Sequence, residues 1–309
     1  MGDTMDFKTF IKAVGTGVKG NRDLTFDEAF EAVSQILRQE PTQAQIGAFL
    51  IAWRVKLETV PEFKGAIQAL NSFMKIEKLE DSFILGYNSD GRVNFPYLFP
   101  LYEELLTDFY KKNSDVKRLN LVVCGDLLQP TKSGFATKDI FPNFEQGQYL
   151  HYLNRVEYLP ELSNLTTLRW EFGLRTAFNT VEKLLNPTLS EYGVCGVFHK
   201  PYVKKYLDMF EDSFKEITVI RGSEGDIEIF KDSKYWQKNG DEILEFEFSL
   251  KDFGVNFDRT FENISLEENL AILKNPTSDI LNLAKFNLAL YLLFSKRVSS
   301  LDEAWQRLN

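Results

Sequence analysis

Apolar residues recur at helical spacing through the first quarter of the chain. Ala29, Phe30, Val33, Ile36 and Leu37 follow Thr25-Phe26-Asp27-Glu28, a capping box in which the threonine accepts from the N–H three residues on and the glutamate reaches back. Thr42 and Gln45 repeat the box ahead of Ile46, Phe49, Leu50 and Trp53. Thr59 and Glu62 repeat it again, with Pro61 in the first turn, where a missing N–H costs least. The spacing predicts a small helical bundle up to about Lys78.

The pattern then changes to short β-branched or aromatic runs: SFILGY, LNLVVCG, YGVCGVF and EITVIRG, most of them ending at glycine. Helical stretches separate them, notably Tyr97–Lys111 and Lys200–Phe210. Strands alternating with helices predict crossover units and an α/β domain with a mostly parallel central sheet. Helical periodicity returns in LSNLTTLRWEFGLRTAFNTVEKLL and in the tail from Ser265. There is no internal repeat and no low-complexity tract.

Ligands of such sheets sit beyond the carboxyl ends of the strands, so the glycine-ending loops are where chemistry is expected. GYNSDGRVN, directly after SFIL, has glycine at both ends and polar residues between, as a chain wrapping an anion would. The plainer reading is a tight turn. Lys132 is either a phosphate contact or a solvated loop lysine, and Arg169 either a substrate contact or a salt-bridge residue on an amphipathic helix. Cys124, flanked by valines and glycine, reads as a small buried hydrophobe. HKPYVKKY, which contains His199, Lys200, Lys204 and Lys205, is the best local basic patch and reads as a solvated helix start. Asp226 and Glu228 share a face only if their segment is extended.

Composition narrows the class. The chain has 309 residues, 44% hydrophobic and 26% charged, which is ordinary for a soluble globular protein and enough for two domains. Its 27 Phe point to an aromatic-rich core. A net charge of −9 works against nucleic acid at long range, so such a role needs a local basic patch. Cys124 and Cys195 supply neither a disulfide framework nor a metal cluster. No apolar run has the roughly 18 residues of a membrane-spanning helix, and MGDTMDFKTF lacks a signal pattern, so the expected location is cytoplasmic, with no membrane partner.

Several segments resemble one family. TFDEAFEAVSQILRQEPTQAQIGAFLIAWRVKLET is similar to the helical domain of the anthranilate phosphoribosyltransferase and nucleoside phosphorylase superfamily, glycosyltransferase family 3. RWEFGLRTAFNTVEKLLNP resembles that family's arginine-containing helix with its Arg-Thr-x-Phe-Asn and Asn-Pro signature, and ISLEENLAIL with FNLALYLLF resembles its tail. The resemblance implies a helical domain over 1–78, completed by helices at about 162–185, packed on a large α/β domain over 79–309. It also implies a phosphate-containing ligand such as phosphoribosyl pyrophosphate and a homodimer formed through the helical domain. Phe49, Trp53 and Phe63, more apolar surface than one bundle face requires, are the expected interface residues.

The implied phosphate- and substrate-binding residues are Gly86, Asn88, Asp90, Gly91, Asn94, Gly125, Lys132, Ser133 and Arg169. Against the family's Gly-Thr-Gly-Gly-Asp-Gly, GYNSDG keeps Gly86, Asp90 and Gly91 but has Asn88 and Ser89 for the two central glycines. The family's Asn-x-Ser-Thr appears as Asn94-Phe95-Pro96-Tyr97, without the hydroxyl pair, and its Lys-His-Gly-Asn as Val123-Cys124-Gly125-Asp126, without the lysine. The metal-binding Asp-Glu pair falls on Ile227-Glu228, so Mg keeps only Glu228 as a weak candidate ligand. The Tyr-Asn of the loop and RGSEGDIEI place the chain nearer the divergent YbiB-type branch, which is associated with nucleic-acid binding.

Three classes stay open. One is a phosphoribosyltransferase-like protein with a degenerate phosphoribosyl pyrophosphate site, inactive on anthranilate. A second is a non-catalytic binder of single-stranded nucleic acid, and a third is transfer of a ribosyl group to another acceptor. A weak anion site is expected in GYNSDGRVN, assisted by Lys132 and Arg92.

Overall fold

A computed structural model describes residues 5–87, 91–144 and 147–309. The chain divides into two compact units: one of Met1–Ile76, Gln129–Thr131 and Arg155–Leu185, the other of Glu77–Leu128, Lys132–Asn154 and Asn186–Asn309.

The first unit is helical. Its long helices are α1 (Phe7–Gly15), α2 (Phe26–Leu37), α3 (Gln43–Lys56) and α4 (Val60–Phe73). The three capping boxes form as the sequence predicts. At α2 the Glu28 N–H donates to the Thr25 hydroxyl at 3.1 Å, and the Thr25 N–H to the Glu28 carboxylate at 2.9 Å. At α4 the Glu62 carboxylate caps Thr59 at 2.7 Å and also accepts from the Leu24 N–H at 2.8 Å and from Lys56 at 3.0 Å. One buried acid thereby ties three segments together, which a cap alone does not require.

Phe49, Trp53 and Phe63 are fully buried, with ring centroids 5.2 and 6.5 Å apart along the series. They are the inside of the bundle and present no face to a twin; Phe49 is covered by α1, where Phe7 meets it at 5.4 Å. The apolar residues that α3 and its C-cap do expose are Val55 and Leu57. The stretch read as helical near 162–185 is broken into short helices, Pro160–Asn164, Thr166–Glu171 and Phe178–Val181.

The second unit is built on a seven-stranded sheet. Its strands are β1 (Ser82–Gly86), β2 (Asn120–Gly125), β3 (Leu150–Asn154), β4 (Tyr192–Gly196), β5 (Glu216–Ile220), β6 (Ser233–Asn239) and β7 (Glu242–Phe248). The order is β3-β2-β1-β4-β5-β6-β7, parallel through β5, with β6 and β7 added as an antiparallel hairpin. Strand β1 pairs with β2 on one side (Leu85 opposite Val123) and with β4 on the other (Gly86 opposite Cys195). The strand order therefore reverses at β1, the usual place for a ligand in an open parallel sheet. The helix Ser278–Phe294 is apolar nearly all round and largely buried in the unit's core.

The helix expected from Tyr97 begins only at Tyr102, after a short 3-10 turn over Phe99–Leu101. The Tyr97 N–H donates to the Asn269 side chain at 2.8 Å and the Leu98 N–H to Glu228 at 3.0 Å, so the donors ahead of the helix are satisfied from outside it.

Candidate anion-binding loops and a buried arginine

The loops after β1 and β2 are stitched together at the point where the strand order reverses. Arg92 and Phe135 form an isolated antiparallel bridge, with N–H to carbonyl distances of 3.2 and 3.4 Å. Two glycines make this approach possible. Gly91 has φ +147°, and a Cβ there would lie 2.4 Å from Leu128 Cδ1 and 2.8 Å from Lys132 Cβ. Gly134 has φ +82°, and a Cβ there would fall 1.7 Å from the Arg92 carbonyl oxygen. Both positions need glycine for backbone conformation and for space.

Of the residues that the sequence pointed to, this stitching brings Gly91, Lys132 and Ser133 together, with Gly86 and Gly125 at the ends of adjacent strands. Asn88 and Asp90 lie outside the described residues. Asn94 is exposed, and its backbone N–H donates to the Glu224 carboxylate at 2.8 Å. Asp126, which stands where the resemblance has an amide, is buried and accepts from the Leu127 N–H at 2.7 Å. Cys124 is half-buried rather than buried.

Arg92 departs most from expectation. The sequence offered it as a second cation for an anion, but its side chain is only 1% exposed and both terminal nitrogens are engaged, while the buried Nε has no hydrogen-bond partner. One guanidinium nitrogen donates to Glu228 at 2.5 Å and to the Pro96 carbonyl at 2.8 Å; another donates to Asp226 at 2.7 Å. The guanidinium lies over the Tyr97 ring, 4.1 Å from its centroid. Asp226 and Glu228 do share a face. The extended backbone of Asp226 lets both carboxylates reach one arginine.

Glu228 is saturated. Besides Arg92 it accepts from the hydroxyls of Tyr87 at 3.1 Å and Tyr102 at 3.0 Å, and from the Leu98 N–H. A carboxylate has about four lone-pair directions, and four donors use them. Burial pushes the Glu228 carboxyl above its ordinary range, against the pull of Arg92. Burial also opposes the Arg92 charge, but Asp226 and Glu228 outweigh it and hold its pKa well above the usual value. Tyr87, Tyr102 and Tyr291 are pushed up as well, first by burial and then by Glu228, so all three stay protonated.

Arg169 belongs to the helical unit. It is 1% exposed and faces Glu182 at 3.3 Å, which also holds Arg155 at 2.8 Å. Its other contacts include the Gln129 side chain at 3.3 Å and the Phe178 ring at 5.6 Å. The basic patch starts the helix Pro201–Met209, where Lys204 pairs with Asp208 at 2.5 Å and Lys200 with Glu245 at 3.3 Å. Sequence reasoning missed the part played by Tyr87, Tyr97 and Tyr102. Their only signal was an unusual density of tyrosine beside the loop.

Residues 8–74 match the helical bundle domain of the glycosyl transferase family, and residues 138–309 match its a/b domain. An uncharacterized protein of Aquifex aeolicus is 31% identical, covering 96% of this chain and 95% of that protein. An anthranilate phosphoribosyltransferase of Saccharolobus islandicus is 25% identical over 92% of this chain and 86% of its own length. Among solved structures, the anthranilate phosphoribosyltransferase of Thermus thermophilus superposes with a TM-score of 0.74 at 16% identity, covering 98% of this chain and 93% of that one. The enzyme of Saccharomyces cerevisiae, solved in complex with PRPP and Mg, gives 0.72 at 15% identity, covering 98% and 92%. These last two likenesses concern the fold.

Proposed function

The chain belongs to the glycosyl transferase family that includes the anthranilate phosphoribosyltransferases, and from that premise we propose that it keeps the scaffold and a weak anion site but not magnesium-dependent transfer to anthranilate. The observation that carries this reading is the Arg92 guanidinium bridging Asp226 and Glu228. Mg2+ demands near-octahedral oxygen coordination, usually from one or two carboxylates together with substrate phosphates. Here Glu228 is 0% exposed with its lone pairs taken, and Asp226 is buried against a cation that cannot lose its proton at any physiological pH. The residues present do not fit the metal.

The other departures act on the same leaving group. Pro96 and Tyr97 stand where the family has its Ser-Thr pair, and Pro96 has no N–H to give. Stabilising a departing pyrophosphate needs donors and cations aimed at it, and each one removed costs on the order of 2 kcal/mol or more. What is left for an anion is the glycine-stitched pair of loops with Lys132 beside Gly91.

The test is a transfer assay with phosphoribosyl pyrophosphate, anthranilate and Mg2+, run beside a phosphate titration. Product should form at the rate seen without protein. Phosphate should bind near-millimolar, an affinity worth about 4 kcal/mol, and more weakly in Lys132→Ala. Product above background that is lost in Lys132→Ala overturns the proposal.

A further inference from the structure

A cavity that shares only Phe95 with the segment after β1 opens at the same edge of the sheet. Arg221 directly follows β5, and it stands with Gly222, Ser223, the start of β6 and the end of β7 around a space of about 660 Å3. That volume is within the range of small-molecule sites, which combine apolar walls with a few placed polar groups. Gly86, Gly91, Lys132 and Ser133 take no part in it.

The walls supply both kinds of group. Phe95 and Phe198 line the space, and Phe198 is 63% exposed in a chain whose phenylalanines are mostly interior. The lining acids are largely engaged: Asp232 accepts from the Ser249 hydroxyl at 2.9 Å and the Leu250 N–H at 2.8 Å. Glu247 holds Lys234 at 2.9 Å, and Glu224 accepts from the Asn94 N–H at 2.8 Å. Among the described residues, that leaves Arg221 and Lys231 as lining cations without a carboxylate partner; Glu224, Asp232 and Asp252 keep their charge, the first two held by neutral donors. A guanidinium offers a fixed fork of N–H groups that matches phosphate oxygens, and a neighbouring ammonium suits the second charge of a dianion. A flat ring would lie against Phe198 and remove its exposed face from water.

We propose that this cavity is a binding site of its own, for a small molecule carrying a phosphomonoester on a flat aromatic or heterocyclic body. The test is calorimetric titration of the full chain with phenyl phosphate and, separately, with inorganic phosphate. Phenyl phosphate should bind saturably and more tightly than inorganic phosphate. In Arg221→Ala/Lys231→Ala its affinity should fall by about tenfold or more, and Phe198→Ala should bring it down to that of inorganic phosphate. In Lys132→Ala the phenyl phosphate isotherm should persist, which separates this site from the loops after β1 and β2. No saturable binding in the wild type overturns the proposal. So does wild-type affinity in a double variant whose melting temperature is unchanged, or binding that Lys132→Ala abolishes and the double variant keeps.

Discussion

In the α/β unit one buried arginine is shared by two carboxylates; in the helical unit one buried carboxylate is shared by two arginines. Arg92 meets Asp226 and Glu228 at 2.7 and 2.5 Å, whereas Glu182 meets Arg155 and Arg169 at 2.8 and 3.3 Å. The surplus charge is handled differently. Around Glu228 and Asp226 it is met by strong dipolar donors: two tyrosine hydroxyls and the N–H groups of Leu98 and Ile227. Around Arg169 longer and softer contacts take part, a glutamine oxygen at 3.3 Å and a phenyl face at 5.6 Å. A buried charge is useful to a ligand only through what its neighbours leave unspent, and in the first cluster both carboxylates and both terminal nitrogens of Arg92 are taken.

That comparison orders the mutations. Arg92→Ala strands two buried carboxylates together, and breaking such a pair costs about 3–5 kcal/mol. Urea unfolding should show a loss of that size, or no folded protein at all. Glu182→Gln leaves two buried guanidiniums without their carboxylate but keeps an acceptor and the volume, so the loss should lie at or below the lower end of that range, about 3 kcal/mol. A larger loss in Glu182→Gln than in Arg92→Ala would show that the longer contacts had been underrated.

The smallest effect is in the pH dependence. Burial raises the Glu228 carboxyl above its ordinary 4.5 in the folded chain. Below that value the folded and unfolded chains both hold the proton; as pH rises the unfolded chain releases it first. The contribution of this group is thus present in acid and lost as pH climbs through the folded value. Relative to Glu228→Gln, the wild type should lose stability over the window just above pH 4.5 and then level off. Parallel urea midpoints for the two proteins from about pH 4 to about pH 7 would sink the idea.

Local chemistry made much of the fold legible. Thr25 with Glu28, Thr42 with Gln45 and Thr59 with Glu62 are neighbours in sequence, so the local pattern alone specifies their hydrogen bonds. The buried strands β1, β2, β4 and β5 are short β-branched runs and announce themselves the same way. Strand β3, LHYLN, is half-buried and has no such run. The β6–β7 hairpin was readable from Gly240-Asp241 between two strand-like segments, a turn signal that the glycine-ending strands overshadowed. The site was the least legible part. Gly91 and Lys132 lie close together, but Arg92 is paired across 134 and 136 residues, and no local pattern encodes such a partner.

The same separation has a consequence in time. Chains are made at about 5–20 residues per second, so Glu228, 136 residues beyond Arg92, exists only on the order of ten seconds after it. Strand β4, one of the two neighbours of β1, is also still unmade for most of that interval. The helical bundle up to α4, complete by Phe73, has no such wait within its own helices and can order early. The α/β unit therefore closes last around its arginine, and until then the guanidinium keeps its water.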